Sequence, residues 1–250
     1  MYITEVITSA KSLYPSEYSL KEYLRWCDEL SADIKRNYDI TYNLLESTNG
    51  TAILPEGVTI NDISRIVADG IDLRKTDIRD AGYICEYGER GRVYKETGEA
   101  PKNLKIYYAV PYTPIRYVDE DVSLTFMPHS FSGGSIDLRE GDFIKITIDN
   151  TEYKGVVDGF DGESYKFTGD TLPQGNFMAH IYREIMEKTE MPAPYDTAYI
   201  DFVNSKAAFY EGDKNAYASF MSQFNSKFKE YSNYITRNKP RVKSKFYNWY

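Results

Sequence analysis

Cysteine and histidine are scarce in this sequence, with two of each among 250 residues. Cys27 and Cys85 are too few for the disulfide framework of a small secreted domain, and they lack the spacing of metal ligands. His129 and His180 each stand alone, and an isolated histidine is more often a surface or hydrogen-bonded residue than a base or a ligand. We therefore expect a protein made in a reducing cytoplasm, with no metal site and no cofactor.

Long apolar runs and an excess of positive charge are also absent. No segment approaches the roughly eighteen apolar residues of a membrane helix. The opening residues, MYITEVITSAKSLY, lack the basic start and the apolar stretch of a signal peptide. The net charge is −8, whereas a protein that coats nucleic acid gains most of its affinity by neutralising phosphates. Neither a membrane nor specifically bound DNA is an expected partner.

Catalytic motifs are missing as well, since HExxH, GxSxG and CxxC do not occur. The glycine pair Gly133-Gly134 lacks the Lys-Ser/Thr and the helix that follow in a phosphate loop. The run Asp119-Glu120-Asp121 could lie near a cation, but adjacent carboxylates usually form a solvated turn. We predict no catalytic residues and no enzyme. The alternative is an unfamiliar enzyme with a perturbed carboxylate or histidine in a deep pocket.

Tyrosine, in contrast, is abundant, with 24 residues of this type. Its large ring can be buried while its hydroxyl keeps a hydrogen bond, so tyrosine favours protein interfaces. Compositional drift in an AT-rich genome would also enrich it, together with Lys, Asn and Ile. Composition alone leaves both explanations open.

Helices are predicted near both ends of the chain. The first covers residues 3–14, before Pro15, and a capping box at Ser19-Leu20-Lys21-Glu22 starts the second. A third runs from Asp196 or Thr197, as the cap, to about Tyr210. After Gly212, Asp213 is expected to cap a fourth helix ending near Arg237. The second helix has an apolar residue at every third or fourth position: Leu20, Leu24, Cys27, Leu30, Ile34 and Tyr38.

The fourth helix has the clearest apolar stripe in the sequence. A short connection at Gly212 favours an antiparallel pair with the helix before it. We predict that the stripe packs this helix pair, and that Phe224→Ala would cost roughly 3–5 kcal/mol if that ring is buried. The stripe consists of Tyr217, Phe220, Met221, Phe224, Phe228, Tyr231 and Ile235.

Short runs punctuated by turn residues predict strands between residues 49 and 173. Asp69-Gly70 joins runs 65–68 and 71–73 as a type I′ hairpin, and Asp149-Asn150 joins 144–148 to 153–157. Further strands are expected at 105–110 and 165–167, and the stretch 131–172 is typical of a small barrel or curled sheet. The predicted fold is α+β. A helical bundle (1–48 and 174–237) carries a β-rich insertion (49–173), and a C-terminal arm (238–250) follows.

The end of the chain differs from the rest, because five cations and four aromatic residues fall within fourteen positions. Three alternatives remain open: a disordered terminus, an arm that binds a partner through aromatic anchors and cations, and a DNA contact through stacking and phosphate binding. The partner-binding candidates are Arg237, Lys239, Arg241, Lys243, Lys245, Phe246, Tyr247, Trp249 and Tyr250.

Two segments, one near each end of the chain, match the sequence pattern of a known group of proteins. One is residues 13–19 (LYPSEYS) with Trp26 and Glu29-Leu30 after them; the other begins at residues 190–196 (EMPAPYD). Together they resemble the head–tail connector, or adaptor, proteins of tailed phages and prophages. The strand-rich stretch 131–172 and the basic, aromatic tail depart from that family's pattern. The second segment continues through Tyr199, Tyr217, Ser222-Gln223-Phe224-Asn225, Tyr231, Tyr234 and Arg237-Asn238.

The resemblance implies a virion protein of the head–tail neck, made in the host cytoplasm. It implies a helical-bundle core and a ring of about a dozen copies below the portal protein, with a C-terminal extension that embraces the portal. The ring would extend the DNA channel and present a surface to the next neck or tail-completion protein. Another neck, collar or tail-completion position is an alternative. A carbohydrate- or receptor-binding module is another, although Trp26 and Trp249 lie in a helix and in the tail.

Overall fold

The structure is a computed structural model, and it describes residues 1–38, 40, 42–55, 57–74, 83–86, 92–95 and 99–238. These residues combine α-helices with two β-sheets and a closed barrel, which confirms the α+β class. The finer prediction, a single bundle of the N- and C-terminal helices, is not confirmed. The four helices in the described ranges are α1 (Ile3–Leu13), α2 (Leu20–Asn37), α3 (Ala198–Glu211) and α4 (Lys214–Asn238).

The predicted helix boundaries have identifiable causes. The Glu22 backbone N–H donates to Ser19 Oγ at 3.3 Å, and the Ser19 N–H donates to Glu22 Oε2 at 2.9 Å, so the capping box of α2 is confirmed. Asp213 caps α4, because its Oδ1 accepts from the N–H of Ala216 at 2.9 Å. Gly212 ends α3 with φ 78°, a conformation that costs glycine little.

The predicted cap of α3 is wrong. A 3-10 turn, Tyr195–Thr197, leads into the helix, and the Thr197 side chain makes no capping hydrogen bond. Asp196 instead accepts from the terminal ammonium of Met1 at 3.1 Å. Both side chains therefore serve contacts other than the cap that local sequence suggests.

The chain divides into two compact units. The first unit comprises Met1–Asp28 and Ile115–Phe228, and the second comprises Glu29–Pro114 and Lys229–Tyr250. The predicted division into a helical part and a β insertion stays a prediction.

The second unit contains two antiparallel sheets around an apolar core. The strands are β1 (Tyr42–Ser47), β2 (Thr51–Ile53), β3 (Ile63–Ala68), β4 (Ile71–Arg74), β5 (Tyr83–Glu86), β6 (Arg92–Lys95) and β7 (Leu104–Ala109). Their orders in the two sheets are β1-β7-β3-β4 and β2-β6-β5. Asp69 (φ 47°) and Gly70 (φ 86°) both have positive φ, as a type I′ turn requires, so the predicted hairpin β3–β4 is confirmed. Ile63, Ile66 and Ile106 are buried in the core of this unit.

The first unit contains a closed barrel of six antiparallel strands. Its strands are β8 (Asp119–Met127), β9 (Ser130–Ser132), β10 (Phe143–Ile148), β11 (Thr151–Phe160), β12 (Ser164–Gly169) and β13 (Gly175–Arg183), in the order β10-β11-β12-β9-β8-β13. Alternate residues of β10, Ile144, Ile146 and Ile148, point inward and are buried, as strand geometry dictates. The barrel extends beyond residues 131–172, because β8 and β13 close it.

A buried ion cluster holds segments of the first unit together. The Asp142 carboxylate accepts from Arg116 Nη2 at 2.6 Å and from Arg183 Nε at 2.7 Å. Arg183 also donates to Glu187 at 2.6 Å. Burial alone would raise the pKa of Asp142, but the hydrogen bonds from Arg116 and Arg183 outweigh it and hold the pKa below its ordinary value. These bonds connect the end of β13 to Arg116, which precedes the barrel in sequence, and to Glu187, which follows it.

Candidate interaction surface

The helix pair α3–α4 was predicted from its short connection, and the described part of the first unit shows its packing. The rings of Phe202 and Phe224 lie 5.1 Å apart, and those of Phe209 and Tyr217 lie 5.6 Å apart. Lys227 Nζ lies 2.6 Å from Asp201 Oδ2 across the pair. The two helices therefore contact each other through aromatic rings and one ion pair.

The predicted stripe of α4 is only partly covered. Phe224 and Tyr231 are buried, with 9% and 1% of their surface exposed. The other five residues keep more of their surface accessible, which leaves an apolar face beyond what the helix pair needs. These half-buried residues are Tyr217, Phe220, Met221, Phe228 and Ile235.

An aromatic cluster formed by α2 and α3 was missed by the sequence reasoning. The Trp26 ring stacks on Tyr210 with centroids 5.9 Å apart and an angle of 9°. Tyr18 and Tyr23 each meet Trp26 edge-on at 5.2 Å. Trp26 is almost fully buried, and its indole nitrogen has no hydrogen-bond partner among the described residues. Tyr23 and Trp26 lie outside the apolar stripe of α2, and their spacing was the overlooked signal.

Aromatic and acidic side chains form a continuous surface at one end of the helices in the first unit. The rings of Tyr14 and Phe220 lie 5.7 Å apart, and Tyr210 contacts both Tyr18 and Phe209. We call this surface the aromatic–acidic patch. Ring contacts or charge interactions connect Tyr14, Tyr18, Phe209, Tyr210, Tyr217 and Phe220 with the carboxylates Glu22, Glu211 and Asp213. Leu13 and Glu17 are included as the exposed sequence neighbours of Tyr14 and Tyr18.

Three side chains of the aromatic–acidic patch are largely exposed. The exposed fraction is 64% for Leu13, 59% for Phe209 and 55% for Tyr210. Single exposed apolar residues are common on soluble proteins, but contiguous ones mark interaction sites. Here the ring contact between Phe209 and Tyr210 makes these two contiguous, and Leu13 is the sequence neighbour of Tyr14.

Carboxylates give this patch a negative potential. Tyr14 Oη donates to Glu211 Oε2 at 2.6 Å, and this hydrogen bond, aided by desolvation and by the Asp213 charge, raises the pKa of Tyr14 to about 12. Burial, followed by the charges of Glu211 and Glu22, raises the pKa of Tyr18. Both pKa values are therefore shifted in the direction that negative charge near a tyrosine produces.

The acidic run 119–121 was expected in a solvated turn, and this prediction is wrong because these residues begin β8. Pairing with β13 brings Asp119 and Asp121 to His180, at 3.0 Å from Nε2 and Nδ1 respectively. His180 is exposed, and His129 contributes its backbone oxygen to the Phe167 N–H at 2.9 Å. Within the described ranges, no group of three acidic, histidine or cysteine side chains is arranged to hold a metal ion.

Two cavities lie within the described residues of separate units. The larger, about 450 Å³, is in the second unit and has Asp62 in its lining. The smaller, about 380 Å³, is in the first unit and is lined in part by Glu22 and Asp28. Their carboxylates accept structural hydrogen bonds: Asp62 from the Thr59 N–H at 2.7 Å, and Asp28 from the Ile115 N–H at 2.7 Å. These two carboxylates therefore already accept hydrogen bonds from the backbone of their own unit.

Of the predicted partner-binding residues, Arg237 is exposed in the last turn of α4. The others lie outside the described residues, so their placement stays a prediction. They are Lys239, Arg241, Lys243, Lys245, Phe246, Tyr247, Trp249 and Tyr250.

No helix in the described part of the chain is long and apolar enough to cross a membrane. Comparison with protein-family models, with curated proteins and with solved structures found no match to this chain. The aromatic–acidic patch is therefore interpreted from its own chemistry.

Proposed function

We propose that this protein is a structural subunit of a tailed-phage particle, a head–tail connector that assembles into a ring below the portal. The observation that carries the proposal is the aromatic–acidic patch, whose exposed rings suit a protein contact better than solvent. The sequence resemblance of residues 13–30 and 190–238 to connector proteins supports the same function. In this role the protein is not an enzyme and needs no cofactor.

A ring requires two different contact faces on each subunit. Such a contact is heterologous: one face of each copy meets another face of the next, and rotation closes the circle. The patch and the rest of the half-buried face of α4, at Met221, Phe228 and Ile235, offer more apolar surface than the helix pair covers. The proposed bundle of N- and C-terminal helices would present these faces, with about a dozen copies expected from the resemblance.

The remaining partners follow from the position in the neck. The ring would contact the portal on one side and the next neck or tail-completion protein on the other. By the resemblance, the C-terminal basic and aromatic residues would contact the portal; a neighbouring copy of the chain is the alternative partner for them. Because the chain carries a net charge of −8, the proposed lumen would let DNA slide without binding it specifically.

Electron microscopy of the purified protein, alone and mixed with tailless particles, tests this function. We expect closed rings and decoration of the portal vertex. As matched variants, Phe209→Ser removes a ring that is 59% exposed in the patch, and Phe160→Ser removes one that is 57% exposed on the barrel. Only Phe209→Ser should weaken assembly. A wild-type chain that stays monomeric at every concentration and is absent from virions contradicts the proposal.

A carbohydrate- or receptor-binding module of the virion is the second candidate. It is favoured by one feature of the barrel: Phe160 is exposed and its ring lies 4.7 Å from that of Tyr165, next to Asp161 in sequence. Aromatic rings beside carboxylates can stack on sugars. Binding on a glycan array that Phe160→Ser abolishes would favour this candidate, and absence of glycan binding would exclude it.

A further inference from the structure

The chain carries two features of opposite charge that both use aromatic rings. The aromatic–acidic patch has four carboxylates, Glu17, Glu22, Glu211 and Asp213, around exposed apolar side chains. The C-terminal arm, residues 239–250, has four cations and four aromatic residues and contains no carboxylate side chain. Each feature has the chemistry that the other would bind.

We propose that the arm of one copy docks on the aromatic–acidic patch of a neighbouring copy. This inference rests on the proposed ring and names the contact between its subunits. The arm and the patch are different surfaces, so a contact between them repeats head to tail from copy to copy, as a closed ring requires. Twelve residues span at most about 40 Å when fully extended, which sets the maximum reach of the arm.

Exposed side chains supply the apolar part of this contact. Leu13, Phe209 and Tyr210 each expose more than half of their surface, so an aromatic side chain of the arm can cover them without repacking the helices. Aromatic anchors at the centre of an interface provide most of the binding free energy. The arm offers four of them at its end: Phe246, Tyr247, Trp249 and Tyr250.

Contacts between the cations of the arm and the carboxylates of the patch would orient the bound arm. Lys11, 4.9 Å above the Tyr23 ring, and Arg25, whose charge acts on Glu22, are cations beside the patch, and neither of these contacts involves Glu211 or Asp213. Lysines of the arm can therefore approach Glu211 and Asp213 at the exposed rim. Such contacts favour the correct partner and weaken as salt concentration rises.

Zero-length cross-linking with a carbodiimide tests the contact directly, because it joins only a lysine amine and a carboxylate that touch. An equal mixture of nitrogen-14 and nitrogen-15 full-length chains is cross-linked and digested. We expect mixed-isotope peptides that join Lys239, Lys243 or Lys245 to Glu211 or Asp213. Peptides of a single isotope only would mean that the arm binds its own chain, and no such peptides would mean that it binds elsewhere, for instance on the portal. Either result overturns the inference.

Complementation between full-length variants gives an independent test. Glu211→Lys damages the patch, and Lys243→Glu with Lys245→Glu reverses the arm; each should reduce ring formation about tenfold, since 1.4 kcal/mol corresponds to that factor. Mixing the two variants pairs a reversed arm with a reversed patch and should restore mixed rings. Glu163→Lys, an exposed position in the barrel turn, is the charge-matched control and should assemble normally.

The two hypotheses fail in different ways. Wild-type rings without arm-to-patch cross-links, or mixed variants that do not regain assembly, remove this inference and leave the proposed ring intact. A wild-type chain that forms no rings removes the proposed function itself.

Discussion

The barrel and the helix pair of the first unit differ in how completely they bury their apolar side chains. In the barrel, hydrogen bonding around six strands leaves no free edge, and Ile144, Val157 and Phe167 are buried inside it. In the helix pair, α4 buries Phe224 but leaves Phe220 and Phe228 half exposed. The barrel is complete by itself, whereas the helical surface retains apolar area for a partner. Stability is thus expected to reside in the barrel and assembly in the helices.

The largest loss of stability is expected at the ion cluster of Asp142, Arg116 and Arg183. Arg183→Ala would leave Asp142, which is 4% exposed, without one of its two arginines. Removing one partner of a buried ion pair costs about 3–5 kcal/mol of unfolding free energy. Denaturant unfolding measures this loss. Arg139→Ala, at a side chain 58% exposed, is the control and should change stability by less than about 0.5 kcal/mol. Equal effects would show that the ion cluster does not stabilise the first unit.

A smaller loss is expected within the helix pair. Phe224 is 9% exposed and contacts the rings of Phe202 at 5.1 Å and Phe228 at 5.3 Å. Phe224→Ala should cost about 3 kcal/mol, the lower end of the range for a buried ring. Phe209→Ala, in the exposed patch, should cost less than about 1 kcal/mol. If the exposed substitution proved as costly as the buried one, the patch would be part of the core and not a docking surface.

The pH dependence of stability distinguishes the ion cluster from the surface. The pKa of Asp142 is lowered in the folded chain, so its stabilisation is present above the ordinary aspartate pKa of about 3.9 and is lost as pH falls through the lower folded pKa. Asp142→Asn should lower stability at neutral pH and flatten the acid limb of the stability curve. Asp137→Asn, at a side chain 68% exposed, should leave that limb unchanged. If the Asp142→Asn variant lost as much stability at acidic pH as the wild type, the lowered pKa would not belong to Asp142.

The smallest effect concerns the patch and leaves folding almost untouched. Glu211→Gln should lower the pKa of Tyr14 from about 12 towards the ordinary value near 10, because the charged carboxylate that accepts the hydrogen bond of its hydroxyl is replaced by a neutral amide. Carbon-13 NMR of labelled tyrosine, assigned with Tyr14→Phe, measures the shift. Since the folded pKa is raised, the small stabilisation is full below about pH 10 and is lost as pH rises towards 12. Glu163→Gln should not move this pKa. A Tyr14 that titrates normally in the wild type would mean that the hydrogen bond to Glu211 does not form in solution.

Local patterns predicted the parts of the fold that depend on neighbours in sequence. The capping box at Ser19 and Glu22, the Asp213 cap and the type I′ turn at Asp69-Gly70 each involve residues within three positions of each other. Their hydrogen bonds and backbone angles follow from side-chain chemistry alone. Strands β10, β11 and β12 of the barrel were also predicted where turn residues separated alternating apolar runs, whereas β8 and β13 were not.

Contacts between distant segments could not be predicted in this way. Trp26 stacks on Tyr210, and Asp142 joins Arg116 to Arg183, although long stretches of chain separate each pair. Likewise, the periodicity of α4 showed which residues share a face, but not how much of that face its neighbours cover. The site was therefore found only in part: Tyr217 and Phe220 were candidates, whereas Leu13, Phe209 and Tyr210 were not.

The amino-acid sequence determined the helices, the caps of α2 and α4, the tight turns and the alternation of the strands, because these depend on backbone preferences and on side chains a few residues apart. The tertiary structure alone decided that six strands close into a barrel, that carboxylates lie near the rings of Tyr14 and Tyr18, and that the apolar face of α4 stays partly exposed. These features depend on which distant segments meet, since burial and electrostatic potential are sums over neighbours in space.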